Sequence, residues 1–143
     1  MHLAKVLLVD DETSFLEVMT KRLEKRELAV LTAESGEAAL KALAEDSHVD
    51  VVILDVKMPG MDGIETLAEI KKEHPLVEVI MLTGHATVEN AIQGMKKGAH
   101  DYLMKPCDID LLCAKVAEAK DKKGRHEEKI LQAQMKEITG RFA

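Results

Sequence analysis

Five polar residues in this sequence stand at the ends of short apolar runs, and their types suit one kind of chemistry. They are Asp10, Asp11, Asp55, Thr83 and Lys105. Carboxylate oxygens are ligands that Mg²⁺ prefers, and an aspartate can attack phosphorus to form an acyl phosphate. A lysine can neutralise the transferred phosphoryl group, and a hydroxyl can donate a hydrogen bond to it. Three crowded acids repel one another without a cation, so the set predicts phosphoryl transfer assisted by Mg²⁺.

The segments that must position these residues alternate between two patterns. Apolar runs predict strands at residues 6–9, 29–33, 51–54, 78–82 and 101–104. Amphipathic stretches predict helices at residues 14–26, 37–45, 64–73 and 86–97, and a fifth that begins near Ile109. This alternation is typical of right-handed βαβ units and of a parallel sheet with helices on both faces. The carboxyl ends of such strands carry the ligand chemistry, so we expect all five polar residues at one edge of the sheet.

The fourth predicted helix carries four apolar residues at helical spacing. They are Val88, Ala91, Ile92 and Met95. Apolar residues repeated in this way form one face of a helix, which usually packs against the core. We therefore expect these four side chains to point inward.

The composition is that of one globular domain with little aromatic character. The 143 residues are 46% hydrophobic and 32% charged, and their net charge of −6 argues against binding of nucleic acid. Cys107 and Cys113 do not form a disulfide framework or a zinc motif. The first residues do not resemble a signal peptide, and no apolar run approaches the length of a membrane span. We expect a cytoplasmic protein that binds neither nucleic acid nor membrane.

Five motifs in chain order resemble those of bacterial response regulator receiver domains, the CheY-like family. The matching segments are residues 8–12 (LVDDE), 54–55 (LD), 58–63 (MPGMDG), 83–84 (TG) and 102–106 (YLMKP). The resemblance covers about residues 4–122. It implies a flavodoxin-like, doubly wound, five-stranded parallel sheet of order 2-1-3-4-5 with five helices. We predict a receiver domain at residues 1–122 and a helical tail or linker at residues 123–143.

The resemblance also implies a role for each acidic residue. Asp55 would be the phosphoacceptor. Asp11, Asp55 and the backbone carbonyl of Lys57 would bind Mg²⁺ directly, and Asp10 would hold the ion through water. Lys57 and His85 would flank the phosphoryl group and tune its hydrolysis, although exposed loop residues without that role fit the sequence equally well.

The remaining implied roles concern the response to phosphorylation. Lys105 would bind the phosphate, and the Lys105–Pro106 peptide bond would be cis. Thr83 and Tyr102 would be switch residues that change the face made by the fourth helix, fifth strand and fifth helix. The implied partners are a sensor histidine kinase or phosphotransfer protein, an unidentified effector or output domain, and a second copy in a phosphorylation-dependent homodimer. Apart from slow hydrolysis of its own acyl phosphate, the chain would not be an enzyme.

Each of these residues also has a structural interpretation when taken alone. Asp10 and Asp11 could cap the first helix, and Asp55 could simply start a loop. Thr83 could be a strand-end hydroxyl, Lys105 a surface lysine and Tyr102 a half-buried strand residue. The five motifs in one order favour the functional interpretation.

Three other functions fit the sequence less well than that of a receiver. A phosphatase of the haloacid dehalogenase type expects an Asp-x-Asp nucleophile pair, whereas Asp10 and Asp11 are adjacent. A flavodoxin-like cofactor binder needs a phosphate cradle after the first strand, where acids would repel phosphate. An unphosphorylated adaptor would more plausibly have lost Asp55, Asp11 or Lys105. The sequence leaves open whether the receiver acts alone or is part of a longer regulator.

The tail carries a weak apolar stripe whose role the sequence leaves open. Its residues are Ile130, Leu131, Met135, Ile138 and Phe142. A dimerising coiled coil, a linker and a helix docked on its own domain all fit, because a coiled-coil assignment needs three or four heptads. Gly124 is expected to loosen the tail from the preceding helix. A linker or partly ordered helix is the interpretation that we favour.

Overall fold

A computed structural model describes residues 2–141, in which five strands and five helices alternate. The elements are β1 (Ala4–Val9), α1 (Thr13–Glu24), β2 (Leu28–Ala33), α2 (Gly36–Glu45), β3 (Val51–Leu54), α3 (Gly63–Glu73), β4 (Glu78–Thr83), α4 (Val88–Lys96), β5 (Asp101–Met104) and α5 (Ile109–Arg141). The strands pair in parallel in the order β2-β1-β3-β4-β5. The predicted flavodoxin-like, doubly wound fold is therefore confirmed, and its long last helix forms the expected C-terminal extension.

The sheet is covered on both faces because successive strand residues point in opposite directions. In β3, Val52 and Leu54 belong to the core cluster under α2 and α3. Val51 and Ile53 belong to the second cluster, under α1 and α5. Every residue of β3 is buried, as expected of a central parallel strand. The apolar runs of the sequence thus become strands whose carboxyl ends are held at a common edge.

The expected inward face of α4 is wrong. Val88 is 76% exposed, and Ile92 and Met95 are each about half exposed. The buried residue of the helix is Gly94, which approaches the ring of Tyr102. The helix packs on the sheet through the face that carries Gly94, where a Cβ would lie 3.5 Å from the Tyr102 ring, and its apolar stripe faces outward. α4 also begins at Val88, later than predicted, because the Thr87 side chain caps it by accepting a hydrogen bond from Asn90 N–H.

α5 continues without interruption through Gly124 to Arg141. It passes the predicted boundary at residue 122, and that division into domain and tail stays a prediction. The Nζ of Lys123 lies 3.3 Å from a carboxylate oxygen of Asp50, and this ion pair joins α5 to the residue preceding β3.

Beyond this contact the apolar stripe of α5 is uncovered. Ile130, Leu131, Met135 and Ile138 are each about half exposed, so within residues 2–141 the tail does not dock on its own domain. Phe142 lies outside the described residues. None of the helices in this part of the chain has both the length and the apolar character needed to cross a membrane.

Candidate functional site

The strand ends converge because backbone hydrogen bonds continue one residue beyond the strands. Asp10 N–H donates to the carbonyl of Ala33 at 3.1 Å, and Asp55 N–H donates to the carbonyl of Val9 at 3.1 Å. On the other side, Lys105 N–H donates to the carbonyl of Thr83 at 2.9 Å. The residues that follow β1, β3 and β5 are thereby fixed at the carboxyl edge of the sheet.

Three carboxylates meet at this edge. Asp10, Asp11 and Asp55 each offer an oxygen, and these atoms all lie within 4.8 Å of one another. Asp10 and Asp55 are buried, whereas Asp11 is exposed. Backbone N–H groups hold one oxygen of each buried acid: Glu12 donates to Asp10 Oδ1 at 2.9 Å and Val56 to Asp55 Oδ1 at 2.8 Å. An all-oxygen donor set of this kind, open to solvent on one side, fits a hard divalent cation such as Mg²⁺.

Lys105 reaches into this acidic cluster. Its Nζ lies 2.5 Å from Asp10 Oδ2 and 3.7 Å from Asp55 Oδ2, and its side chain is only 18% exposed. The same nitrogen lies 4.0 Å from the centroid of the Phe15 ring. The Lys105–Pro106 peptide bond is cis. A mostly buried cation thus stands beside Oδ2 of Asp55, where a phosphoryl group on that oxygen would carry negative charge.

Thr83 and Tyr102 lie on the β4 and β5 side of the cluster. Thr83 is fully buried, and its Oγ1 accepts a hydrogen bond from His85 N–H at 3.0 Å. The hydroxyl of Tyr102 is buried, and a backbone hydrogen bond from Thr87 partly offsets the effect of this burial on its pKa. Burial raises the pKa of Tyr102, and the negative charge of Asp55 adds to the rise. Of the two side chains predicted to switch, Thr83 is therefore fully buried and Tyr102 is partly buried.

The loop after Asp55 is held in place by Gly63, the first residue of α3. Gly63 N–H donates to the carbonyl of Val56 at 2.7 Å. A Cβ on Gly63 would overlap the carbonyl oxygen of Asp55, so only glycine permits this approach. Asp62 caps the helix by accepting a hydrogen bond from Glu65 N–H at 2.9 Å. Gly60 has a φ of +74°, a left-handed conformation that favours glycine.

Lys57 and His85 lie on the loops that follow β3 and β4. Both are exposed, and both line a cleft beside the carboxylates together with Thr87 and Asn90. The structure thus brings Lys57 and His85 together in one cleft, on the loops that directly follow Asp55 and Thr83.

The sequence-based predictions missed Phe15 as a residue of this site. Phe15 falls within the predicted first helix, and its ring lies under the Lys105 ammonium. A usable signal was its position on the first turn of α1, four residues after Asp11. The contact itself could not be deduced, because it depends on how the loop before α5 folds over α1.

Comparison with known proteins gives a consistent result. The sequence matches the family described as "Response regulator receiver domain" over residues 6–117. It is 41% identical over 114 residues to the DNA-binding transcriptional regulator NtrC of Escherichia coli K12, a match that covers 80% of this chain and 24% of NtrC. It is 40% identical over 114 residues to the transcriptional regulatory protein ZraR of the same organism, covering 80% of this chain and 26% of ZraR. The chain thus spans about a quarter of the length of these relatives.

Solved structures resemble this one closely. A response regulator receiver domain protein from Clostridium thermocellum has a TM-score of 0.81 at 42% identity, covering 85% of this chain and 98% of that one. A CheY-like receiver domain protein from Methanospirillum hungatei JF-1 has a TM-score of 0.80 at 32% identity, and the match covers 87% of this chain and 98% of that one. Both likenesses extend over nearly the whole of the compared structures.

Proposed function

Because this chain belongs to the response regulator receiver domain family, we propose that it is a signalling switch that accepts a phosphoryl group on Asp55. A receiver domain implies a sensor kinase as partner. In the proposed transfer, Asp55 Oδ2 forms a bond to phosphorus while the bond from phosphorus to a phosphohistidine nitrogen of the donor breaks. The donor imidazole leaves, and an acyl phosphate remains on the aspartate.

The observation that carries this proposal is the position of the Lys105 Nζ, 3.7 Å from Asp55 Oδ2. The other oxygen, Oδ1, is held by Val56 N–H. The oxygen nearer the cation is therefore the one available as nucleophile. A lysine in this position stabilises the charge that accumulates on the phosphoryl oxygens during transfer.

We assign Asp11, Asp55 and the Lys57 carbonyl as direct ligands of Mg²⁺, and Asp10 as a residue that holds the ion through water. The distances between the three carboxylates support this assignment. When bound, the cation would neutralise negative charge shared between the aspartates and the phosphoryl group. Asp10 and Asp55 are buried in a fixed arrangement by their backbone partners, so the ligands are preorganised.

For the switch, we propose that Thr83 moves toward the phosphoryl group and gives up its contact with His85 N–H. Tyr102 would then turn into the space that Thr83 leaves. The outward apolar stripe of α4, which includes Val88 and Ile92, supports a partner-binding role for the α4-β5-α5 face. Phosphorylation shifts this equilibrium only because the phosphoryl group contacts the active arrangement better.

The same proposal includes the location of the protein, its phosphoryl donor and its partners. The chain would act in the cytoplasm and take its phosphoryl group from a sensor histidine kinase or phosphotransfer protein. It would hydrolyse its acyl phosphate slowly and control an effector or an output domain, and a second copy is a further candidate partner. Relatives such as NtrC, described as a DNA-binding transcriptional regulator, support control of an output domain.

The test is intact mass after incubation with acetyl phosphate, or with beryllofluoride, in the presence and absence of Mg²⁺. We expect one Mg²⁺-dependent adduct that is lost in Asp55→Asn and kept in the matched control Asp121→Asn, far along α5. A sizing run on the same samples reports any phosphorylation-dependent dimer. A folded wild-type protein that binds Mg²⁺ and yet takes no adduct would overturn the proposal.

A further inference from the structure

Phe15 contributes the one aromatic ring that the Lys105 ammonium faces within the described chain. The ring lies on the first turns of α1, and its centroid is 4.0 Å from Lys105 Nζ. Lys105 belongs to the loop between β5 and α5, so the contact joins two segments about ninety residues apart. An ammonium within about 6 Å of an aromatic centroid is attracted by the negative face of the ring.

The attraction is significant here because the ammonium is largely withdrawn from water. The Lys105 side chain is 18% exposed, and cation–π contacts strengthen as they are desolvated. The side chain of Lys105 is long and flexible, and ordering it costs conformational entropy. A fixed aromatic surface beneath the ammonium reduces the number of positions that the nitrogen can occupy.

The contact with Phe15 differs in kind from the contacts with the acids. In this structure Asp10 and Asp55 both hold the ammonium through opposite charge. To bind a phosphoryl group on Asp55, Lys105 must exchange a carboxylate contact for one with phosphoryl oxygens. The Phe15 ring attracts the ammonium without neutralising it, so this contact can persist while the charged partner changes.

We propose that Phe15 is a positioning residue for phosphoryl transfer to Asp55, because its ring face holds the ammonium of Lys105 beside the acidic cluster. The proposal rests on the proposed function and adds a residue on α1 to its machinery. In this role Phe15 acts on the reaction through Lys105.

The test uses the full chain and acetyl phosphate at saturating Mg²⁺, with the rate of adduct formation followed by intact mass. Phe15→Leu keeps an apolar side chain but removes the ring, whereas Phe15→Tyr keeps a ring. We expect the rate to fall by about three- to tenfold in Phe15→Leu and to stay within about twofold in Phe15→Tyr. Val18→Ala, at a 58% exposed position of α1, is the matched control and should react at the wild-type rate.

A double-mutant cycle separates positioning from general packing. In a Lys105→Met background, Phe15→Leu should cause no further loss of rate, since there is no ammonium to position. An equal loss in both backgrounds, or a Phe15→Tyr rate as low as that of Phe15→Leu, would overturn the proposal.

An NMR measurement keeps the inference distinct from the proposed function. The ring should shift the ε-methylene proton resonances of Lys105 upfield in the wild type, and Phe15→Leu should abolish the shift. Absence of the shift in the wild type overturns the role of Phe15 even if the adduct forms. Presence of the shift without any adduct overturns the proposed function, and with it the catalytic purpose assigned to the contact.

Discussion

The ammonium nitrogen of Lys122 lies 3.2 Å from a carboxylate oxygen of Glu78, a residue only 1% exposed at the start of β4. Lys71 approaches the other oxygen at 3.5 Å. The two lysines come from α5 and α3, which cover opposite faces of the sheet. A buried carboxylate at the end of the sheet away from Asp55 therefore joins both helix layers to the central β4.

Removing both cations from Glu78 should destabilise the fold. We expect Lys71→Met with Lys122→Met to lower the free energy of unfolding by about 2 kcal/mol or more, because a buried carboxylate is left uncompensated. This loss of unfolding free energy is at the low end of that for buried ion pairs, because Lys122 is 38% exposed and water screens its charge. Urea unfolding measures the change, with the exposed Lys72→Met as control. A loss equal to that of the control would contradict the prediction.

Two glycines should respond to alanine in opposite ways. Gly63→Ala places a Cβ against the backbone of Asp55 and Val56, so we expect a loss of about 3 kcal/mol in unfolding free energy. Gly124 has nothing near its missing Cβ and lies inside α5. Gly124→Ala should therefore increase helix content and stabilise α5 by up to about 1 kcal/mol. Circular dichroism during urea unfolding tests both variants. An unchanged unfolding free energy in Gly63→Ala would disprove the close approach of Gly63 to the backbone of Asp55.

The single tyrosine of the chain gives a direct optical test of the site. Burial, with a contribution from Asp55, raises the pKa of Tyr102. Absorbance of tyrosinate in the folded protein should therefore appear at a higher pH than in denaturant, where the pKa is about 10. The sequence has no tryptophan to interfere. Asp55→Asn should reduce the difference between the Tyr102 pKa of the folded protein and that of the denatured protein, because it removes the negative charge of Asp55.

The sign of the linkage follows from the raised pKa of Tyr102. Its contribution to stability is complete below the unfolded pKa of about 10 and is lost as the pH rises through the folded value. Identical titration curves for folded and denatured protein would contradict the burial of the Tyr102 hydroxyl.

The ion pair between Asp101 and Lys115 should make the stability of the fold depend on pH in the acidic range. Burial alone would raise the pKa of Asp101, but hydrogen bonds from the Lys115 ammonium and Tyr102 N–H outweigh it and lower the pKa. The stabilisation is therefore present above about pH 4 and is lost as the pH falls through the lower folded value. The unfolding free energies of wild type and Asp101→Asn should converge at low pH. A constant difference at every pH would argue against this pair.

The two exposed residues beside the site should set the lifetime of the acyl phosphate. Lys57 and His85 line one cleft, on the loops that follow β3 and β4. We expect His85→Ala and Lys57→Ala each to change the decay rate of the adduct by about two- to tenfold, because each alters the access and orientation of the attacking water. Intact mass after removal of the donor measures the decay. Unchanged decay in both variants would mark the pair as ordinary loop residues.

The common edge on which these polar residues lie could be predicted from the sequence, because their arrangement follows from the sheet. Each strand is an apolar run that must be buried, so the polar residues after β1, β3, β4 and β5 share one edge. Asp10, Asp55, Thr83 and Lys105 could be located by that rule alone. Glu78 could not be recognised, since a buried acid is identified only by the cations that distant helices bring to it.

The helices were predicted less completely, for a physical reason. Helical spacing identifies an apolar face but not the layer that covers it, and in α4 the sheet meets Gly94 instead of Val88 or Ile92. Gly124 was expected to loosen the tail, yet its cost of about 1 kcal/mol does not interrupt a long helix.

The path of α5 has a mechanical consequence. The helix starts three residues beyond Pro106, beside the acidic cluster, and leaves the domain past Lys123 at the opposite pole. From there it projects by about 27 Å as a single rod. If α5 tilts by about five degrees around the ion pairs of Lys122 and Lys123, its C-terminal end moves by about 2 Å. A rigid tilt of the helix would thus carry a rearrangement near Asp55 to its far end, within reach of an attached or neighbouring protein.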